Sequence, residues 1–208
     1  MTQTMTGRRR AALALLWVSS LGVALVSYRF LALGLDAAFP GMAAHIAERR
    51  GAFLLHVTAG PLALALSLPQ FLPRLRTRHP RLHRINGHLC LGAIFVGGGA
   101  GLVMAAGAEG GPVAAAGFGL LALAWMGAAG RALWLARQGR LAEHRAWMLR
   151  TFALTLAAVT LRMQLPLFMG LGGMSYAPAS AWIAWLSWLP NLAVAELYLR
   201  RNAGRPPG

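Results

Sequence analysis

GAFLLHVTAGPLALALSLPQFLP, residues 51–73, contains no Asp, Glu, Lys or Arg. As an α-helix, at about 1.5 Å per residue, a segment of this length would cross a hydrocarbon core about 30 Å thick. Residues 11–28 are likewise free of charged side chains. Two such stretches in one chain predict an integral membrane protein.

The composition of the whole chain agrees with this prediction. Only 12% of the 208 residues are charged, about half the fraction typical of soluble domains, and the mean hydropathy is +0.55. The net charge of +15 would suit a nucleic-acid partner. However, the arginines form short clusters between apolar runs, whereas a nucleic-acid-binding protein gathers them on one face. We therefore expect a lipid bilayer, and no nucleic acid, as partner.

The apolar stretches predict six membrane spans, at residues 11–34, 51–73, 85–107, 111–137, 146–169 and 180–199. Arginines in short loops mark the cytoplasmic side of a membrane protein. Most arginines here fall on one side, in clusters at 8–10, 74–84, 137–145 and 200–205. We expect an all-α bundle of about six transmembrane helices in the bacterial inner membrane, with both termini in the cytoplasm. Residues 11–199 would form this single bundle, between cytoplasmic basic tails at 1–10 and 200–208; the sequence predicts no oligomeric state.

Small residues and prolines inside the spans predict how the helices pack. Close approach of helices is favoured by small residues one turn apart, and these are Ala93, Gly97 and Gly101 on the third span and Gly127 and Gly130 on the fourth. Kinks are predicted at Pro69, Pro166 and Pro190. Membrane bundles tolerate such prolines when neighbouring groups satisfy the freed carbonyls.

Histidines near the membrane faces suggest a haem site. Polar side chains within spans are costly, which makes them candidates for function. His56 begins HVTAG and His83 begins HRING, so the spacing H-x-x-x-G occurs twice, and a glycine one turn after a histidine would leave room for a flat macrocycle. His144 matches His83 in depth on the cytoplasmic side, with His88 as the alternative to His83. The pattern therefore favours a b-type haem whose iron is bound by His83 and His144.

Other charged and polar residues would support this site. Guanidinium groups suit carboxylates, so the haem propionates would be neutralised by Arg84, Arg145 and Arg150. Glu196 is the only acid within a predicted span, and we expect it to pair with Arg131 or Arg150. The further buried polar candidates are Arg162, Gln70 and Asn191. A quinone or a redox protein would be the partner of such a site.

A second interpretation uses the buried Arg, His and Glu residues without haem. They would line a cleft for a small amphiphile, with His56 and Arg162 at its outer gate, in a carrier or in a binding or assembly subunit. The sequence shows no hydrolase, transferase or nucleotide-binding motif and no cluster of metal ligands other than the candidate haem histidines. Whether the protein is an enzyme therefore stays open, and any reaction would be a redox reaction.

Three stretches resemble a known family: HPRLHR (79–84), EHRAWMLRTFALTLAAVTLR (143–162) and WLPNLAVAE (188–196). They resemble the bacterial predicted membrane proteins grouped as domain-of-unknown-function family 2306, over residues 50–201. The resemblance implies a multi-span membrane protein without an assigned reaction. It also implies Arg more often than His at the position of His88, which favours His83 as the ligand. The positions it singles out are His56, Gln70, Arg74, His83, Arg84, Gly87, His144, Arg145, Trp147, Arg150, Arg162, Asn191 and Glu196.

A more distant likeness, in helix count and in the H-x-x-x-G spacing, is to transmembrane b-type cytochromes that ascorbate reduces. Those proteins hold two pairs of histidines on a four-helix core. This chain offers one pair, His83 with His144, and a single outer histidine, His56.

Overall fold

The computed structural model describes residues 7–39 and 42–202, with only the backbone of Arg8, Arg9 and Arg10. Within these ranges every regular element is helical. The elements are α1 Gly7–Ser27, α2 Phe30–Leu33, α3 Leu35–Ala38, α4 Ala43–Glu48, α5 Arg50–Ser67, a 3₁₀ turn Leu68–Phe71, α6 Pro73–Arg78, α7 Pro80–Ala105, α8 Gly111–Arg137, α9 Leu141–Thr155, α10 Ala157–Pro166, a π turn Leu167–Leu171, α11 Tyr176–Leu186 and α12 Leu189–Asn202. The predicted tails at 1–10 and 200–208 lie partly outside the described residues.

Five helical segments are long and apolar enough to cross a membrane: Ala11–Leu33, Arg50–Phe71, Pro80–Ala105, Gly111–Arg137 and Leu141–Leu171. A sixth segment, at 176–202, consists of α11 and α12 with a two-residue turn between them. The predicted all-α membrane fold is therefore confirmed, and a bundle of about six helices is consistent with these segments.

The helices form an antiparallel bundle in which α8 and the α9–α10 segment are central. α5 packs against α1 and α7, α8 against α7, α9 and α11, and α9 also against α12, while α10 contacts α1 and α11. The largest core cluster lies where these helices meet and includes Cys90, Ile94, Trp125, Leu154 and Trp188. Because successive segments alternate in direction, the connections at 72–79 and 138–140 lie at the same end of the bundle as residues 7 and 202. We call it the arginine-rich end.

Two helices begin before the apolar stretches that predicted them. α7 begins at Pro80 rather than 85, and α9 begins at Leu141 rather than 146. Most of 74–84, predicted to be a loop, is α6 and the first turn of α7. Proline is favoured in the first turn of a helix, where its missing N–H is not needed, and Pro73 and Pro80 begin α6 and α7. Hydropathy marks the part of a helix that meets lipid, whereas the helix itself continues into the interface.

Each of the three predicted kink prolines lies beside a departure from regular α-helix. Pro69 lies in the 3₁₀ turn, Pro166 precedes the π turn, and Pro190 follows the break between α11 and α12. Because Pro190 has no N–H, it cannot bond to the carbonyl of Leu186, four residues earlier. The Gln164 side chain on α10 donates to that carbonyl instead, at 3.0 Å. A neighbouring helix thus satisfies the group that the proline frees, as predicted.

The small-residue face of the third span packs against α5. A Cβ on Gly97 would lie 3.2 Å from the backbone nitrogen of Gly60, and one on Gly101 would lie 3.1 Å from the His56 ring. On the fourth span the prediction is wrong for Gly127, which is exposed with nothing within 4 Å of a Cβ. The closest approach there is at Gly117, against the backbone of Ala184 on α11.

Candidate functional site

The two histidines predicted as a pair from depth both lie at the arginine-rich end. His83 and His144 are each the fourth residue of a helix that starts at this end, α7 and α9 respectively. α9 packs mainly against α8 and α12, so the two imidazoles come from helices that are not close neighbours.

The His144 ring is held by a backbone group of α8. Its Nδ1 lies 2.8 Å from the carbonyl oxygen of Ala132. A carbonyl only accepts, so Nδ1 carries the proton and donates it. The Nε2 of a neutral His144 therefore keeps its lone pair, which is the arrangement seen in histidines that bind a metal through Nε2.

His83 lacks such a partner. Its Nδ1 is buried without a hydrogen bond among the described residues. Its backbone carbonyl accepts a long hydrogen bond, 3.4 Å, from the Gln70 side chain. Gln70 also occupies the space beside Gly87, where a Cβ would lie 3.6 Å from Gln70 Oε1. The expectation that Gly87 leaves open room for a macrocycle is therefore wrong, because the buried Gln70 amide fills that room.

His88, the alternative to His83, points elsewhere. It is exposed, and its Nδ1 lies 2.8 Å from the Arg84 carbonyl oxygen of its own helix. It borders an open apolar groove of about 370 Å³ between α5 and α7, together with Leu55, Leu62 and Val96. His88 is therefore bound to its own helix at an exposed position, whereas the Nδ1 of His83 is buried without a hydrogen bond among the described residues.

Glu196 pairs with Arg150, one of its two predicted partners. The contact is bidentate, with 2.5 Å between Nε and Oε1 and 3.0 Å between Nη2 and Oε2, and it joins α9 to α12. The Arg150 guanidinium also lies 4.8 Å from the centre of the Trp147 ring. Arg131 does not take part. It is exposed and stacks on Trp134 at 4.1 Å, so the expectation that it is buried is wrong.

The other two arginines proposed for the haem propionates, Arg84 and Arg145, are exposed at the arginine-rich end. Neither has an ion-pair or hydrogen-bond partner for its side chain within the described part of the chain. Both guanidinium groups are thus available to anionic groups near that face.

In the opposite half of the bundle, His56 is seated between α5 and α7. Its Nδ1 donates to the Gly97 carbonyl at 2.9 Å, and the bare backbone of Gly101 leaves space for the ring. As in His144, Nε2 of the neutral ring is then the remaining hydrogen-bonding atom. The small-residue face of α7 therefore positions a histidine besides allowing close packing.

Arg162 lies near His56, on α10. Its Nη1 donates to the carbonyl of Ala158 in its own helix, at 2.9 Å. α10 contacts α5, which carries His56, and α1, which Arg29 follows by two residues. Ion pairs within the described residues engage Glu48, Glu143 and Glu196, and none involves Arg162.

Asn191 has a structural role in the bundle. Its amide donates to Thr160 Oγ1 and to the Ser187 carbonyl, both at 2.9 Å, and so joins α10 to the break between α11 and α12. Sequence reasoning missed Asn86, which donates to the Leu66 carbonyl. It identified Gln164 as a polar residue within a span but did not predict that it donates to the Leu186 carbonyl. A proline within a span signals a free carbonyl, but not the residue that binds it.

These features define a class of protein, a helical membrane protein with polar side chains positioned inside its bundle. The chain belongs to the family of predicted membrane proteins designated DUF2306, whose family model matches residues 53–199. No curated protein and no solved structure matches it. The described residues contain no group of three or more His, Cys, Asp or Glu side chains able to hold a metal ion.

Proposed function

We propose that this protein transfers electrons in the bacterial inner membrane and holds a b-type haem between His83 and His144. One observation supports the proposal most strongly. His83 and His144, on the non-adjacent helices α7 and α9, lie at the same end of the bundle, each as the fourth residue of its helix. Two histidines from different helices are the usual axial ligands of such a haem.

The donor chemistry of the two side chains fits this cofactor. The Ala132 carbonyl fixes the tautomer of His144 and leaves Nε2 free, as hydrogen bonds do for histidines that bind metals. His83 has no hydrogen-bond partner on Nδ1 among the described residues, so its ring is not engaged in another contact and is available as a metal ligand. A haem bound by these residues would supply reversible one-electron transfer.

The surrounding residues would have distinct roles. Gln70, which contacts Gly87 and the His83 carbonyl, would be a neighbour of the bound group. Arg84 and Arg145 are exposed and free of carboxylates, so they would bind the propionates. The Arg150–Glu196 pair would hold α9 against α12 and keep His144 in place. In the orientation predicted from the arginines, this site would face the cytoplasm, and a quinone or a redox protein would exchange electrons with it.

The proposal is tested with the full chain, purified in a mild detergent from haem-replete cells. We expect a Soret band and the sharp α band of a b-type cytochrome in the reduced-minus-oxidised spectrum. His83→Ala and His144→Ala should each lose these bands. His88→Ala is the matched control on α7, and it should keep them because that ring is exposed and does not approach His144.

A colourless wild-type protein with the elution profile of a folded bundle would contradict the proposal. It would also be contradicted if His83→Ala and His144→Ala kept the full spectrum. The small-amphiphile interpretation would then remain, and the observation that favours it is the Arg162 environment.

A further inference from the structure

Arg162 is a cation inside the bundle without a counterion. A guanidinium has five N–H donors, and the one hydrogen bond described for it goes to the carbonyl of Ala158 in its own helix. An arginine within a span is costly and is normally paired or functional. Arg162 therefore needs a hydrogen-bond acceptor or counterion that the described part of the chain does not supply.

The chain has five acidic residues, and all of them lie within the described ranges. Glu48, Glu143 and Glu196 are engaged by Arg49, Arg140 and Arg150. Asp36 and Glu109 form no ion pair with Arg162. No Asp or Glu carboxylate is thus within salt-bridge distance of this guanidinium.

The neighbours of Arg162 increase the need for an anion. Arg29 follows the end of α1, which packs against α10, and repulsion between two cations in the same part of the bundle is strong where the dielectric constant is low. Arg29 itself is engaged, since it donates to the carbonyls of Ala38 and Val26 and lies 4.5 Å from the centre of the Phe39 ring. Arg29 is therefore held by its own loop, whereas most donors of Arg162 remain free.

His56 completes the polar environment. Its Nδ1 is bound to the Gly97 carbonyl, and Nε2 is the ring atom left to contact a ligand. Arg162 thus offers a planar, charged set of donors, and His56 offers a second polar atom nearby. Helices α1, α5 and α10 pack on one another here, and Ala24, Leu64 and Val159 form an apolar cluster between them.

We infer that Arg162 and His56 form a binding site for the anionic headgroup of an amphiphile, a carboxylate or a phosphate, whose hydrocarbon tail lies along the apolar helices. A guanidinium binds both headgroups through two parallel hydrogen bonds. The site lies in the opposite half of the bundle from His83 and His144 and shares no residue with them. A negative result at this site would therefore leave the haem proposal unaffected, and a negative result for haem would leave this site unaffected.

The test uses the full chain in nanodiscs of phosphatidylcholine, at mildly alkaline pH, with radiolabelled palmitate as the probe. We expect saturable binding of palmitate that uncharged hexadecanol does not displace. Arg162→Gln should weaken binding by about tenfold or more, the loss typical of a charge-assisted hydrogen bond. Arg162→Lys should bind with intermediate affinity, because it keeps the charge but loses the planar donor set.

Arg131→Gln is the matched control, because it removes an exposed arginine at the arginine-rich end and should leave palmitate binding unchanged. Lysophosphatidate distinguishes the two headgroups: strong competition indicates a phosphate site for lipids, and weak competition indicates a carboxylate site. The inference is overturned if Arg162→Gln binds palmitate like the wild type, or if hexadecanol competes equally well. If Arg162→Gln does not fold, the inference is tested by the wild-type protein alone, through the failure or success of hexadecanol in displacing palmitate.

Discussion

At the scale of single residues, the polar side chains inside the bundle fall into two groups. Glu196, Asn191 and Gln164 bind groups on neighbouring helices, and each joins two helices. Arg162 and His83 lack such partners. Because an unsatisfied buried polar group is destabilising, the second group marks the positions where a ligand would contribute free energy.

His45, outside the membrane-spanning segments, is a third residue without a partner. It lies in α4, it is only 5% exposed, and its Nδ1 has no hydrogen bond among the described residues. Burial lowers the pKa of His45 below its ordinary value, and the neighbouring Arg49 lowers it further, although Glu109 and Glu48 act in the opposite direction. The folded protein therefore binds a proton at His45 less readily than the unfolded chain does.

This difference predicts a pH dependence of stability. The contribution of His45 is fully present above the ordinary histidine pKa of about 6.5 and is lost as the pH falls from there towards the lowered pKa of the folded state, with a slope of at most about 1.4 kcal/mol per pH unit. Thermal unfolding in detergent at neutral and mildly acidic pH should show a smaller loss for His45→Gln than for the wild type. His79→Gln, at an exposed position, is the control. Equal losses in the wild type and His45→Gln would contradict the assignment.

At the scale of helices, the sequence was sufficient to locate the membrane spans but not the residues at which the helices begin. Uncharged runs locate the lipid-facing parts of α5 and α8 closely. They place the starts of α7 and α9 five residues late, because the charged first turns of these helices lie outside the apolar layer. The prolines predicted the irregular turns. The partner at Pro190 required tertiary structure, since Gln164 and Leu186 meet only when α10 packs beside α11.

Replacement of Gln164 should have a measurable effect on the free energy of unfolding. Gln164→Leu leaves the Leu186 carbonyl without a donor, and we expect a loss of about 1 kcal/mol in the free energy of unfolding. In a Pro190→Ala background the restored N–H bonds to Leu186 within the helix, so the same replacement should cost much less. Unfolding in mixed micelles measures the four proteins of this cycle. An equal loss in both backgrounds would show that Gln164 does not act through this carbonyl.

At the scale of the whole molecule, the bundle separates two polar sites. His83 and His144 lie at the arginine-rich end, and Arg162 with His56 lies in the opposite half. Depth along the spans placed His83 and His144 at the same end but does not test whether they bind one ligand. It left Glu196 with two possible partners, because Arg131 and Arg150 lie at similar depths and only the order of helices around the bundle separates them. Helix order depends on packing that a single sequence does not specify.

We expect the chain to cross the membrane six times, with the arginine-rich end in the cytoplasm. In a Cys90→Ala background, single cysteines replace the exposed residues Thr77, Glu109 and Arg201, and intact cells are treated with a membrane-impermeant maleimide. We predict labelling of the cysteine at 109 in intact cells, and labelling at 77 and 201 only after lysis. Labelling at 77 in intact cells would reverse the orientation, and labelling at 201 together with 109 would show that the segment at 176–202 does not cross.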